Sequence, residues 1–341
     1  MGATTVAPHP RASLYPLAVI RSFADLTLRG RARRLRPLAM AALARYDVDV
    51  QRVRLLRNAW NCVFRVDTDR GPLALRICIA GYGHTHGRVQ SEAVFLEALA
   101  RDSDLGGMHP LRTRDGQLVV TAGADGVPEE RLCALFSWVR GQTLSRVLDQ
   151  ETAADHGELH ARLHAFGAAW APPPDFEILD HTRVFHHPAQ IRLWEAELFG
   201  HGPLFRDAWA ASDERIAAVR ARDPVIVTHG DLHQNNVLVH RGALQPIDFE
   251  DMTWATRGQD AATSLYYLSL RPELPGLRAA FQRGYERREA WPEGAAGEID
   301  ALLFPRALVL LNLLSTDAKF RVRDWEGLVG RTAKLARLAL A

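Results

Sequence analysis

The sequence predicts an α+β protein of two unequal lobes, a small antiparallel sheet with one helix followed by a mainly helical lobe. Three observations carry this prediction. The 341 residues are too many for one ordinary compact core and suit two domains. Short runs of β character, separated by turn residues, fill the stretch from about 47 to 136. After Gly141 the pattern is helical almost to the end of the chain, with one short hairpin as the exception.

The chain is expected to divide into four segments. Residues 1–46 form a loose N-terminal tail and a helical extension, 47–136 the small lobe, 137–141 a hinge, and 142–341 the helical lobe. In the extension, Pro37 suits a first helical position and predicts a helix over about 37–46. The remaining predicted elements are strands over 53–56, 62–66, 73–79, 111–113, 118–121 and 132–139, and a helix over 88–100.

Composition and charge exclude several classes of protein. Apolar residues make up 47% and charged residues 24%, and the net charge is +2, which favours a soluble globular protein over a nucleic-acid binder. The longest apolar run, near Leu308–Leu314, is too short for a membrane span, and the N-terminus shows no secretory signal. The three cysteines are widely spaced, so we expect reduced residues in a cytoplasmic protein.

The most informative stretch is THGDLHQNNVLVHRGALQPIDFED, Thr228–Asp251. Its two short β runs flank Gly242 and predict a hairpin in which residues whose numbers add to about 484 face each other. Asn236 and Asp248 meet that condition, so we expect their Cβ atoms about 4.5–5.5 Å apart. Amide and carboxylate oxygens are ligands that Mg²⁺ prefers. Asp231, just before the first strand, adds a carboxylate that can accept a proton, as phosphoryl transfer requires.

HGDLHQNN followed by IDFED resembles the catalytic segment of the aminoglycoside phosphotransferase and choline kinase family, small-molecule relatives of the protein kinases. The resemblance implies a two-lobed protein-kinase-like fold, ATP or GTP as donor, Mg²⁺ as metal and a small-molecule alcohol as acceptor. It implies that Asp231 positions or deprotonates the acceptor hydroxyl. It also implies a catalytic and metal-binding role for Asn236 and a metal-binding role for Asp248.

The strand LALRIC fits the same family. Alternation places Ala74 and Arg76 on one face, and the resemblance implies that Ala74 lies under the adenine and Arg76 at the phosphates. Arg replaces the lysine of protein kinases, and no lysine precedes Lys319 in this chain. Arginine keeps its charge and binds phosphate with two nitrogens. The alternative is that Arg76 is an exposed strand residue.

Glu92 lies on an apolar helical stripe. Phe95, Leu96 and Leu99 share its face. Because an unpaired buried charge is costly, we expect Glu92 to pair with Arg76 and so to help bind the nucleotide. The alternative is that Glu92 caps the start of the helix, where the helix dipole favours an acid.

Five further residues receive expected roles from the family. The carbonyl of Ser137 and the N–H of Val139, in the last strand of the small lobe, are expected to meet the purine. Asp260 is expected to brace the catalytic loop by accepting backbone N–H bonds, and His229 to support that loop. His164 is expected to be a satisfied core histidine.

A histidine stripe, His156, His160 and His164, recurs at helical spacing. A zinc-protease motif needs Glu directly after the first histidine, where this chain has Gly157. We therefore expect a partly exposed polar stripe.

The segment GYGHTHG precedes the Glu92 helix and is expected to form a mobile flap over the phosphates. Its His84 and His86 could instead chelate a metal together with His109.

The acceptor is the least constrained part of the hypothesis. Glu250 and Asp251 follow the metal aspartate and could meet an amine, which favours an amino alcohol or an amino sugar. The Arg-rich closing segments argue mildly against polycationic aminoglycosides. Two alternatives stay open: a Ser/Thr protein kinase resembling stress response kinase A, and a catalytically weak nucleotide-binding module, which only the arginine at 76 encourages.

Overall fold

The computed structural model describes residues 22–23, 25–58, 61–79, 83–185, 198–316 and 324–341. The predicted N-terminal tail, residues 1 to about 16, lies outside the described residues. All structural statements below refer to these ranges.

The small lobe is a five-stranded antiparallel sheet between two helices. Its strands lie in the order β1-β2-β3-β5-β4. The strands are β1 (Val50–Asn58), β2 (Asn61–Thr68), β3 (Gly71–Cys78), β4 (Val120–Ala122) and β5 (Arg131–Ser137), and the helices are α1 (Leu28–Leu43) and α2 (His86–Asp102).

The two faces of this sheet bury different side chains because successive strand residues point in opposite directions. Leu75 and Ile77 of β3 lie in an apolar cluster with Leu38 and Ala42 of α1. Cys78 lies in the larger cluster that α2 shares with the helical lobe. The alternation predicted for β3 is therefore confirmed, and its Arg76 lies on the face turned away from α1 and is itself buried.

Two predicted elements of this lobe are wrong. Helix α1 begins at Leu28 behind the N-cap Thr27, and Pro37 lies inside it. Pro37 and the residue four before it, Arg33, are both exposed, so the carbonyl that the proline leaves unbonded faces solvent. The strand predicted over 111–113 does not form, because the N–H of Thr113 folds back onto the carbonyl of Gln117.

The helical lobe carries two small sheets, in the orders β10-β9-β6 and β7-β11-β8. No helix among the described residues is both long and apolar enough to cross a membrane. The strands of the helical lobe are β6 (Gln142–Thr143), β7 (Leu179–Asp180), β8 (Val225–Thr228), β9 (Val237–His240), β10 (Ala243–Pro246) and β11 (Thr253–Thr256). Its helices are α3 (Gln150–Ala169), α4 (Gly202–Arg222), α5 (Arg257–Ser269), α6 (Leu277–Tyr285), α7 (Glu298–Ala301), α8 (Leu303–Thr316) and α9 (Trp325–Leu340).

Helices α3 and α6 pack closely at two glycines. A Cβ on Gly157 would lie 1.9 Å from the carbonyl oxygen of Phe281, and one on Gly284 would lie 1.7 Å from that of Ala154. Any side chain at either position would push the helices apart. The glycine that interrupts the zinc-protease pattern is therefore a packing residue.

Candidate active site

The β9–β10 hairpin turns through Arg241 and Gly242, which both have positive φ, 52° and 81°. His240 pairs with Ala243, so the ladder is displaced by one residue from the predicted register. Asn236 therefore faces Ile247, whose N–H donates to the Asn236 carbonyl at 2.9 Å, and the predicted cross-strand pair with Asp248 is wrong.

Asp248 leaves the ladder in the left-handed region, with φ 68°. It follows β10 by two residues, while Asn236 directly precedes β9. Because β9 and β10 are antiparallel, the end of one lies beside the start of the other. The hairpin thus carries both residues at the same end despite the shifted register.

The loop before β9 ties Asp231 to Asn236. The Asn236 Nδ2 donates to the backbone oxygen of Asp231 at 3.0 Å and to its carboxylate Oδ2 at 3.2 Å. Gly230 has φ 76°, and a Cβ there would lie 2.1 Å from the carbonyl oxygen of Asp251. Only glycine fits this approach, so the loop of Asp231 is held directly against the segment that follows Asp248.

An arginine that the sequence analysis did not single out contacts Asp231. The Arg306 Nη2, from α8, donates to the Asp231 Oδ1 at 2.5 Å and to the hydroxyl of Tyr267 at 2.8 Å. The guanidinium also lies over the Tyr267 ring, 5.3 Å from its centroid. A charge inside the apolar stretch that forms α8 was the available signal, the same signal that identified Glu92.

Four carboxylates, those of Asp231, Asp248, Glu250 and Asp251, lie close together between the loop before β9 and the segment after β10. Burial raises the pKa of Asp231 to about 7, with Asp251 and Asp248 adding to the rise against the opposing effect of Arg306. Burial and Asp248 raise the pKa of Glu250 to about 8. Burial also raises the pKa of Asp248. The carboxylates of this cluster therefore repel one another in spite of Arg306, and a bound cation would relieve that repulsion.

The predicted ion pair between Arg76 and Glu92 is confirmed. The Arg76 Nη1 donates to the Glu92 Oε1 at 2.8 Å, Nη2 contacts Oε2, and the guanidinium lies 5.2 Å from the centroid of the Phe136 ring. Both side chains are buried, at 6% and 4% exposure. Helix α2 begins at His86, behind the N-cap Thr85, so the alternative roles as helix cap and exposed strand residue are wrong.

Removing the Glu92 charge is expected to destabilise the fold. Glu92→Gln leaves the buried Arg76 without a counter-charge, and we expect the free energy of unfolding to fall by about 3 kcal/mol. The matched control is Glu97→Gln on the same helix, whose partner Arg112 is half exposed, and its expected loss is below about 1 kcal/mol. Urea unfolding of both variants measures the difference, and equal losses would contradict the buried pairing.

Two contacts join the small lobe to the segment of Asp248. The Asn61 Nδ2, at the start of β2, donates to the Glu250 carboxylate. The Arg57 Nη1, near the end of β1, lies 3.7 Å from the Asp248 Oδ2. The end of β1 and the start of β2 therefore lie beside the acidic cluster, and Arg57 brings a cation to it.

At the hinge, Val139 lines a cavity of about 350 Å³ together with Arg65, Trp138 and Gly141. Strand β5 ends at Ser137, whose N–H donates to the carbonyl of His109 at 2.8 Å. The N–H of Ser137 is thus occupied, and Val139 follows the strand at the mouth of the cavity. Ala74 lies opposite Arg65 across the β2–β3 ladder, on the same side of the sheet.

The histidine stripe of α3 is fully buried, so the expectation of partial exposure is wrong. The stripe lies behind the catalytic loop: the Nε2 of His156 bonds to the Leu232 carbonyl at 2.9 Å, and that of His164 bonds to the Asp260 carboxylate at 2.9 Å. Asp260 in turn accepts the N–H of Gly230 at 2.8 Å, as predicted. The stripe therefore supports the backbone that carries Asp231.

His229 also contacts the loop as expected. Its Nε2 lies 3.1 Å from the Ile247 carbonyl, and its Nδ1 accepts the N–H of Asp231 at 3.3 Å. The ring lies against Phe249 with centroids 4.3 Å apart. His229 therefore joins the loop before β9 to the segment after β10.

The buried stripe predicts an acid-sensitive fold. Burial lowers the pKa of His156 to about 4, so below the ordinary value of about 6.5 the unfolded chain binds a proton that the folded protein does not. The free energy of unfolding should fall by about 2 kcal/mol between about pH 7 and pH 5 from this residue. His156→Gln keeps an N–H donor for Leu232 and should lose that part of the pH dependence. Urea unfolding at both pH values measures this, and an equal fall in the free energy of unfolding for the wild type and the variant would contradict the prediction.

The alternative metal site is not formed. Within the described part of the chain, His84, His86 and His109 do not come together as a possible ligand group. His86 opens α2 and is exposed. The predicted flap falls partly on residues 81–82, which lie outside the described residues.

A family model matches most of the chain. Residues 52–296 match the model of the phosphotransferase enzyme family. A search of curated proteins found no match.

Solved structures share the fold over nearly the whole chain. The microcompartment-associated aminopropanol kinase has a TM-score of 0.72 at 23% identity, covering 89% of this chain and 94% of its own. Amicoumacin kinase in complex with AMP-PNP and Ca²⁺ has a TM-score of 0.73 at 17% identity, covering 92% and 96%. Choline kinase from Cryptosporidium parvum Iowa II has a TM-score of 0.54 at 12% identity, covering 92% and 94%. At these identities the likeness shows a shared fold and nothing more.

Proposed function

Because this chain belongs to the phosphotransferase enzyme family, we propose that it transfers the γ-phosphoryl group of ATP or GTP to the hydroxyl of a small molecule with the help of Mg²⁺. The observation that carries the proposal is the convergence of Asp231, Asn236 and Asp248 at one end of the β9–β10 hairpin. Asp231 would hold the acceptor hydroxyl and accept its proton late in a loose transition state, where positioning and charge neutralisation supply most of the catalysis.

The donor set fits a hard divalent cation. Asn236 uses its amide nitrogen on Asp231, which leaves its amide oxygen without a hydrogen bond to any described residue. The Asp248 carboxylate lies among Glu250 and Asp251, so a cation there would offset like-charge repulsion. Asn236 and Asp248 would hold Mg²⁺, which when bound neutralises charge on the phosphate oxygens.

The nucleotide would lie between the hinge cavity and the buried ion pair. Ala74 and the backbone at Ser137 and Val139 would bind the base. Arg76, held in place by Glu92, would orient the phosphates as a fixed cation. This arrangement gives arginine the task that the family assigns to lysine.

The acceptor would lie beside Asp231. The carboxylates of Glu250 and Asp251 would suit an ammonium group, so we propose an amino alcohol or amino sugar unit in the acceptor. Aminopropanol kinase, a relative in fold, is named for an amino alcohol.

The test is a screen of a metabolite extract. The protein is incubated with Mg²⁺ and ATP carrying a heavy-isotope γ-phosphate, and mass spectrometry looks for small molecules that gain one labelled phosphate. The expected result is one labelled product class that is absent with Asp231→Ala. Label on added protein acceptors but on no small molecule would favour the protein-kinase alternative, and bound nucleotide without transfer would favour the non-catalytic one.

A further inference from the structure

Arg306 holds Asp231 with only part of its guanidinium. The buried Arg76–Glu92 pair uses both terminal nitrogens of the arginine, and so does the pair between Arg222 and Glu298. Arg306 instead makes both of its hydrogen bonds through Nη2. Its Nε is buried without a partner, and its Nη1 makes no hydrogen bond to a described residue. The Nε of Arg76 is also buried without a partner, so the difference between the two arginines is Nη1, which on Arg306 can donate to a further group.

Two neutral donors surround the same carboxylate. Arginine cannot accept a hydrogen bond, so the Tyr267 hydroxyl accepts from Arg306 and keeps its own proton for another partner. Burial raises the pKa of Tyr267, so that proton stays in place. The His233 Nδ1 accepts the N–H of Asn235 at 3.0 Å, which leaves the proton on Nε2, 3.6 Å from the Asp231 Oδ2. His233 and Tyr267 stack with ring centroids 4.2 Å apart.

These donors lie where an acceptor must bind. A hydroxyl within hydrogen-bond reach of Asp231 would be within a few bond lengths of the guanidinium that contacts the same carboxylate. A polycation placed there would meet Arg306 at close range, whereas a carboxylate or phosphate would find a cation and two neutral donors.

We propose that Arg306, with the hydroxyl of Tyr267 and the Nε2–H of His233, binds an anionic group of the acceptor, a carboxylate or a phosphate close to the hydroxyl that is phosphorylated. This inference rests on the proposed function, because it assumes that the acceptor hydroxyl lies at Asp231. It is compatible with an amine elsewhere on the acceptor, near Glu250 and Asp251, as in a hydroxy amino acid.

The test separates the metabolite extract by charge before the kinase assay. An anion exchanger at about pH 11 retains every compound with a carboxylate or phosphate and passes simple amino alcohols, amino sugars and polyols. We expect labelled product only in the retained fraction. Its mass then distinguishes a carboxylate from a phosphate acceptor. Product only in the flow-through would overturn the inference and leave the proposed function standing, whereas product in neither fraction would overturn both.

Variants then test Arg306 itself on the acceptor that the screen identifies. Arg306→Gln should lower kcat/KM for the anionic acceptor about 30-fold more than for an analogue in which the anion is an amide or an alcohol. Arg306→Lys should recover part of that preference, and Tyr267→Phe should lose a smaller part. Arg278→Gln, in an exposed ion pair with Asp300, is the matched control with no expected change. Equal losses for both acceptors would show that Arg306 only positions Asp231.

Discussion

Asp231→Ala is expected to lower kcat about 1,000-fold, the range that a positioned acid–base residue supplies. The carboxylate lies on the loop before β9 beside Asn236. Nucleotide affinity should stay within about threefold of the wild type, because the proposed role of Asp231 is to hold the acceptor hydroxyl and not the nucleotide. Steady-state kinetics with saturating nucleotide measure the first effect, and calorimetric titration of nucleotide measures the second.

The control for this prediction concerns Arg306. Alanine leaves the partly buried guanidinium of Arg306, which is 22% exposed, without a counter-charge, which costs about 1–3 kcal/mol of stability. Asp231→Asn keeps an oxygen that can accept from the Arg306 Nη2, so it should lose less stability and just as much turnover. If either variant turns over at the wild-type rate, Asp231 is not the acid–base residue.

The same carboxylate predicts how activity responds to pH. Burial holds the pKa of Asp231 at about 7 in the free protein, above the ordinary value near 3.9. A base must be deprotonated to work, so protonation of Asp231 on the acid side removes activity. Arg306 lowers the pKa of Asp231, so a variant without Arg306 has a higher pKa there and should lose activity already at a higher pH.

Local periodicity was enough to orient two key side chains of the small lobe. The period of two along β3 placed Arg76 opposite to Leu75 and Ile77, and the helical spacing of α2 placed Glu92 on its apolar face. Those two facts, together with the strand-to-helix ion pair that the kinase resemblance implies, predicted an ion pair between residues 16 apart, and the structure confirms it. Each step used only neighbours within one element, where sequence spacing fixes direction.

The hairpin shows where such reasoning ends. Placing the turn at Gly242 alone predicts one register, but the two residues Arg241 and Gly242 both take positive φ and give a two-residue turn. A shift by one residue moves every side chain to the other face. The sequence motif still identified Asn236 and Asp248, because the motif depends on which end of the hairpin they occupy and not on their pairing.

Arg306 was missed because its partner lies 75 residues away. The argument that identified Glu92, a charge on an apolar helical stripe, applies equally to Arg306, whose neighbours at i−3, i+3 and i+4 are Leu303, Val309 and Leu310. The helical spacing indicates that such a charge needs a partner, but it does not indicate which residue that partner is. The same limit hid the burial of the α3 histidines, whose partners, among them the Leu232 carbonyl and the Asp260 carboxylate, lie far away in the sequence.

Asp248→Asn is the second large effect that we expect. It removes one charge from the acidic cluster and should weaken the binding of Mg²⁺–nucleotide at least about 100-fold, since a direct ligand contributes more than the outer partners that cost about 10–100-fold. Nucleotide measured without divalent cation should bind as in the wild type, because Arg76 and the hinge are untouched. Titrations with and without Mg²⁺ measure the two affinities.

Asparagine is the informative substitution at this position for a structural reason. Asp248 has φ 68°, a conformation that asparagine tolerates and that alanine adopts only at a cost of about 1–2 kcal/mol. Asp248→Asn also relieves repulsion with Asp251 and Glu250, so the ligand-free protein should unfold at the same temperature or higher. A variant that is as stable as the wild type but gains no nucleotide affinity from Mg²⁺ would show that Asp248 is a metal ligand and not a structural aspartate. If this stable variant keeps its Mg²⁺-dependent affinity, Asp248 is not a metal ligand, and the proposed metal site at this end of the hairpin is wrong.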